Sequence, residues 1–164
     1  MRTLDQNEVQ NRVREMVMHT ASHLPDDVLK ALRKARDLED SDSARDVLEQ
    51  LLQNADLART EGLPLCQDTG VAVFFVELGE DCRLEGGSLG ETLNAAMIEA
   101  YEQAYLRKSM AHPFSRHNTG TNAPAQIHYE LVPGDGLKVF FMAKGGGSEN
   151  MSRCTMLTPA QGWP

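Results

Sequence analysis

The chain has 164 residues, 41% of them apolar and 24% charged, which points to one globular domain, residues 1–164, able to bury roughly 68 to 70% of its unfolded surface. Its formal net charge of −8 opposes a phosphate backbone, and no run approaches the roughly 18 apolar residues of a membrane span, so nucleic acid and membrane are excluded as partners. The polar start Met1-Arg2-Thr3-Leu4-Asp5-Gln6 has no apolar signal region, which predicts a cytoplasmic chain whose three cysteines stay reduced.

Residues 1–62 read as a helical segment. Val9, Val13, Met16 and Val17 recur at i, i+4, i+7 and i+8, the spacing of one apolar helix face. Pro25 with Asp26 and Asp27 starts a second helix, proline in its first turn and acids at its positive end, with Val28, Leu29, Leu32 and Ala35 facing inward. Ser41, Asp42 and Ser43 offer caps to a third helix through Val47, Leu48, Leu51, Leu52, Ala55 and Ala58, which Gly62 and Pro64 end.

From Gly70 the period changes. Residues 71–78 form a continuous apolar run rich in β-branched and aromatic residues, the pattern of a buried strand. Residues 88–108 return to helical spacing through Leu93, Met97, Ala100, Ala104 and Tyr105, with Ser88 and Glu91 placed for a capping box. Residues 125–131 and 137–143 then read as an antiparallel pair joined by the turn Pro133-Gly134-Asp135-Gly136. The fold class is therefore α+β: an N-terminal helical segment, then from residue 63 a mixed α/β region with a small, mainly antiparallel sheet and a packed helix. The loop-like run Thr158 to Pro164, which carries the sole tryptophan, Trp163, closes no element, so the chain reads as a truncated part of a larger α domain.

Chemistry concentrates in three polar turns, each beside an expected strand. Cys66-Gln67-Asp68-Thr69-Gly70 places a thiol, an amide and a carboxylate consecutively at the mouth of the first strand. Taken alone, Cys66 is either a buried inert thiol or a site residue; Gln67 and Asp68 favour the site, because adjoining polar groups in an apolar setting need partners. A Cys/His pair with His112, His117 or His128 has no supporting spacing. In Lys144-Gly145-Gly146-Gly147-Ser148 the lysine precedes the glycines, so it is no Walker loop; it reads as a plain turn or as a backbone nest for an anion. Arg107, Lys108 and Arg116, with His112 and His117 among them, make a basic island that is either a solvated helix end or a carboxylate site. His19 and His23 share a helix face without the Glu of a zinc-protease motif and take no role, and Cys82 and Cys154 lack ligand spacing to Cys66.

Cys66-Gln67-Asp68-Thr69-Gly70, Asn118-Thr119-Gly120-Thr121-Asn122 followed by Pro124-Ala125-Gln126-Ile127, and Lys144-Gly145-Gly146-Gly147-Ser148-Glu149-Asn150 occur here in one order. Together they resemble the α subunit or N-terminal domain of class I, iron–sulfur fumarate hydratases and the related tartrate dehydratase α subunits, over residues 64–150. The resemblance implies a hydro-lyase that interconverts fumarate and L-malate, with tartrate dehydration or a non-catalytic anion-binding module as alternatives. It implies a 4Fe–4S cluster with one open iron acting as Lewis acid, and Cys66 matches its first ligand. Gln67 and Asp68 match substrate contacts, with Asp68 in proton transfer; Arg107 matches a carboxylate-binding arginine, and Gly147 a backbone donor to substrate. It also implies a fumarase-type β subunit or domain as partner and a homo-oligomer of the complete enzyme. The family's other two cluster cysteines, in Cys-Pro contexts, are not matched, so the 164 residues alone are expected to be inactive and free of the cluster.

Overall fold

The computed structural model describes residues 1–147 and 152–162. Ser148, Glu149 and Asn150 of the glycine-rich motif, and Trp163, lie outside them. The chain runs β1 (Arg2–Asp5), α1 (Gln6–Ser22), α2 (Asp26–Leu38), α3 (Asp42–Glu61), β2 (Val71–Gly79), β3 (Cys82–Glu85), α4 (Leu89–Gln103), β4 (Gln126–Val132) and β5 (Leu137–Lys144), with a 3-10 turn at Pro159–Gln161. This is the α+β layout that the hydrophobic periods predict, helices first.

The helix ends follow from identifiable side chains. Asp5 caps α1 by accepting the Glu8 N–H, Ser41 caps α3 by accepting the Ala44 N–H, and Ser88 caps α4 by accepting the Glu91 N–H. Gly62 ends α3 in the left-handed conformation, with its N–H on the Ala58 carbonyl. Helix α4 stops at Gln103, before the 108 expected from its period. Tyr105 takes a φ of 52°, and the Leu106 N–H returns to the Tyr101 carbonyl at 2.9 Å, a left-handed stop made without glycine. Tyr105 is therefore 91% exposed instead of core, while Leu106 tucks under the helix end. Arg107 and Lys108 lie off the helix, which removes the reading of the basic island as a solvated helix terminus.

One core joins α1, α4 and one face of β2. Val9, Val13 and Val17 of α1 meet Leu93, Ala96, Met97, Ala100 and Tyr101 of α4 over Ala72, Phe74 and Val76. Each large side chain buried here contributes about 1.5 to 3 kcal/mol relative to exposure. Helix α2 buries no residue fully; Val28 and Ala35, expected inward, are exposed because α2 packs chiefly on α3, outside this core.

The three-stranded sheet has the order β4-β2-β5, with β2 antiparallel to β5 and parallel to β4. The expected hairpin of 125–131 with 137–143 does not form: the two strands run in opposite senses, but β2 lies between them. The turn after β4 straddles the end of β2, where Gly79 donates to the Gly136 carbonyl at 2.8 Å and Asp81 to the Gly134 carbonyl at 2.9 Å. A Cβ at Gly79 would lie 2.4 Å from the Gly134 oxygen, so glycine permits the crossing. The apolar run of β2 is thereby paired on both edges, the position such a strand suits best. A second sheet pairs β1 with β3 in parallel. Neither strand was anticipated: β1 lies in the segment 1–62 that reads as helical throughout, and strands of four residues such as β1 and β3 give little alternation to detect.

Candidate active site at the Cys66 turn

Residues 63–70 leave α3 and cross to β2, and both flanking helices hold the crossing. The Leu65 N–H donates to the Ala21 carbonyl at the end of α1 at 2.9 Å, and the Asn54 side chain of α3 donates to the Leu65 carbonyl at 2.9 Å. The next residue, Cys66, is exposed, which overturns the buried-thiol alternative. Its thiol donates to Gln67 Oε1 at 3.3 Å, and its sulfur accepts the Asp68 N–H at 3.5 Å.

Asp68 organises the turn. Its Oδ1 accepts the Gly70 N–H at 3.1 Å, and its Oδ2 accepts the Gly146 N–H at 3.1 Å, so one carboxylate joins the first motif to the glycine-rich loop after β5. Gly70 has a φ of 70° and packs so closely on β5 that a Cβ would sit 2.7 Å from the Lys144 carbonyl carbon. The glycine loop is thus laid beside Asp68 by β5 itself, with Gly147 following the donor Gly146.

Beneath the turn lies a buried polar layer. Tyr101 of α4 donates its hydroxyl to the Thr69 carbonyl at 2.9 Å and lies 3.2 Å from the Gly70 carbonyl. Burial raises the Tyr101 phenol above its ordinary value, against opposing hydrogen bonds with Asn122 and Thr69. The Thr69 hydroxyl donates to the Arg107 carbonyl at 2.5 Å, which sets the basic segment against the Cys66 turn. Arg107 itself is exposed, and no ion pair or side-chain hydrogen bond is recorded for it among the described residues. Lys108, in contrast, pairs with Glu102. Asn118 donates to the Lys108 carbonyl at 2.7 Å and accepts the Gly120 N–H at 2.7 Å, so the second motif braces the basic segment.

A cleft of about 560 Å³ opens on Cys66 and Asp68. It is also lined by His19 and His23 at the end of α1, their rings stacked at 3.9 Å, and by Tyr101, Leu106 and Phe141. Gln67, Arg107 and Gly147 do not line this cleft. The two histidines, given no role from their spacing, are thus cleft residues, and only the packing of α1 against 64–66 could reveal that. His112 instead accepts the Phe114 and Ser115 N–H groups, and His128 stacks on Phe75, so neither is paired with Cys66. Thr69, Tyr101 and Asn122 are the polar residues that sequence reasoning left without a part.

The three motifs thus meet at one turn. The fumarate hydratase family, described as Fumarate hydratase (Fumerase), matches residues 10–164. The chain belongs to this family. Among similar fumarate hydratases, the class I aerobic enzyme of Escherichia coli (strain K12) is 40% identical over 118 residues, covering 70% of this chain and 21% of that protein. Fumarate hydratase 2 of Leishmania major is 41% identical over 128 residues, 76% of this chain and 22% of its own. The L(+)-tartrate dehydratase subunit alpha of Escherichia coli (strain UTI89 / UPEC) is 30% identical over 161 residues, 93% of this chain and 53% of its own. The chain spans about half the length of the tartrate dehydratase subunits it matches and about a fifth of the fumarate hydratases.

For the iron–sulfur group this family suggests, the described residues supply an incomplete donor set. Cys66 is exposed at the cleft, Cys82 is buried in β3, and no group of three or more His, Cys, Asp or Glu able to hold a metal ion occurs among the described residues. A 4Fe–4S cluster is held by several thiolates, so these residues offer it one corner.

Proposed function

We propose that this fumarate hydratase family chain carries part of the active site of a hydro-lyase that interconverts fumarate and L-malate. The observation that supports it best is the double anchorage of Asp68, whose carboxylate joins the Cys66 turn to the glycine loop while Thr69 joins the same turn to Arg107. In this reading Cys66 is one thiolate of a 4Fe–4S cluster whose remaining thiolates do not come from the described residues, so the 164 residues alone are inactive. When bound, such a cluster supplies an open iron as Lewis acid.

The roles of the chain's own residues follow from their chemistry. Arg107 presents a planar fork that matches a carboxylate in two parallel hydrogen bonds. Gln67 offers an amide that donates to, and accepts from, a hydroxy acid. Gly147 offers a backbone N–H on a loop without side-chain hindrance. Asp68 is fixed through both oxygens, each accepting one N–H, and retains lone pairs with which to take up a proton. The partner is a fumarase-type β subunit or domain that completes the site, in a homo-oligomer of cytoplasmic location.

Substitution tests the reading in the assembled enzyme that contains this chain. Cys66→Ser is expected to lose iron–sulfur absorbance and activity together; retention of both removes Cys66 from the metal site. Arg107→Ala is expected to raise KM for malate about tenfold or more, and unchanged kinetics return Arg107 to plain surface. A tartrate substrate is the second reading, favoured by the tartrate dehydratase subunit that matches 93% of this chain. Comparing kcat/KM for malate and L(+)-tartrate decides between them.

A further inference from the structure

Asn122 is the least expected residue near the site. It is fully buried, holds a φ of 62°, and its carboxamide makes three hydrogen bonds to backbone. Oδ1 accepts the Ser109 and Met110 N–H groups, both at 2.9 Å, and Nδ2 donates to the Gly70 carbonyl at 3.0 Å. One planar group therefore spans from the segment that follows Arg107 to the residue that closes the Cys66 turn. Two residues before Ser109, the Arg107 carbonyl accepts the Thr69 hydroxyl from that same turn. The backbone from Arg107 to Met110 is thus tied to the turn that carries Cys66 and Asp68 at two points, directly through Thr69 and by way of Asn122.

We propose that Asn122 is a positioning residue that sets the separation between the Arg107 guanidinium and the Cys66-Gln67-Asp68 turn; its functional meaning rests on the carboxylate-binding reading of Arg107. With no side-chain partner recorded among the described residues, Arg107 takes its place from its backbone. A carboxamide accepts from Ser109 and Met110 and donates to Gly70 at once through two separate atoms, without charge. An aspartate keeps the acceptor but sets a carboxylate against the Gly70 carbonyl, and an aliphatic residue takes the acceptor from the part-buried Ser109 and Met110 N–H groups and leaves the Gly70 carbonyl to Tyr101 alone. Asparagine also tolerates the left-handed backbone found here better than other non-glycine residues.

The experiment uses the 164-residue chain with Cys154→Ser and a nitroxide on Cys66, read by broadening of backbone amide signals in proton–nitrogen spectra. In the otherwise unaltered chain Ser109, Met110 and Gly146 should all broaden. Asn122→Asp and Thr69→Val should relieve the broadening of Ser109 and Met110 but leave that of Gly146, which Asp68 holds; Thr69→Ser, which keeps the hydroxyl, should restore it. Folded variants with unchanged broadening overturn the proposal. Hydrogen exchange on the unaltered chain decides the matter should a variant not fold: Ser109 and Met110 should exchange about 100-fold or more slower than free peptide, and free exchange overturns the proposal. Malate kinetics of the assembled enzyme that contains this chain separate the two readings. Arg107→Ala should raise KM for malate while the broadening in the 164-residue chain stays intact, and Asn122→Asp should raise KM about tenfold. If Arg107→Ala leaves KM unmoved, the carboxylate reading fails while the broadening still judges the clamp.

Discussion

Asp68 Oδ2 accepts the Gly146 N–H at 3.1 Å across 78 residues of chain. It is the contact by which the turn before β2 and the loop after β5 become one site. Asp68→Ala removes it together with the Gly70 bond, and an exposed charge-assisted pair of this kind is expected to contribute about 1 to 2 kcal/mol. The urea midpoint should fall accordingly, with faster exchange at Gly146 and unchanged exchange in α4. An unaltered Gly146 rate would show that the loop is held by other means.

Gly70→Ala should cost more than Asp68→Ala although it deletes nothing. The new Cβ meets the Lys144 carbonyl carbon at 2.7 Å and its oxygen at 2.8 Å, both backbone, on a residue with a φ of 70°. Left-handed strain and the forced shift of β5 together should destabilise by about 2 to 4 kcal/mol. Thermal unfolding of Gly70→Ala beside Gly120→Ala, whose Cβ has open space at a φ of 73°, isolates the packing share.

Tyr101 makes stability fall in alkali. Burial raises its phenol above 10.0, so the unfolded chain loses this proton first as pH climbs. Between the ordinary and the raised value the native state holds more protons than the unfolded state, and stability declines with rising pH. Below about pH 10 the group contributes no slope. Tyr101→Phe should flatten the alkaline fall in urea midpoint, yet cost about 1 to 3 kcal/mol at pH 7 because the buried Thr69 carbonyl loses its donor. Tyr129, raised by burial as well, leaves a residual slope in the same direction.

The thiols should sort by position. Cys66 and Cys154 are exposed and Cys82 is buried at 7% exposure in β3. A thiol reagent on the native chain is expected to modify Cys66 and Cys154 quickly, and Cys82 only with unfolding. Mass-mapped labelling against urea checks this, and fast native labelling of Cys82 would show that β1 and β3 separate readily.

Much of the site could be read along the chain because its motifs are local. Cys66-Gln67-Asp68-Thr69-Gly70 makes its own turn, through the Asp68 contacts to Gly70 and to the Cys66 sulfur, and such short-range hydrogen bonds leave a signature in consecutive residues. Arg107 was legible as part of a basic cluster, but its placement was not, since the helix stop at Tyr105 uses a residue whose type gives no sign of positive φ. His19, His23, Tyr101 and Asn122 were legible only as helix or loop residues.

Sequence alone determined the α+β class, the three N-terminal helices and the strand character of 71–78, because period, caps and turn chemistry act over a few residues and a linear reading reaches that far. Cys66, Gln67, Asp68, Arg107 and Gly147 became candidates through the resemblance that the three motifs carry. Tertiary structure alone decided that β2 separates β4 from β5, that β1 pairs with β3, that Thr69 and Asn122 bind the Cys66 turn to the Arg107 segment, and that Tyr101 holds that turn to α4. Those contacts join groups 31 to 52 residues apart, and which distant partner satisfies a buried carbonyl depends on how the helices and strands pack.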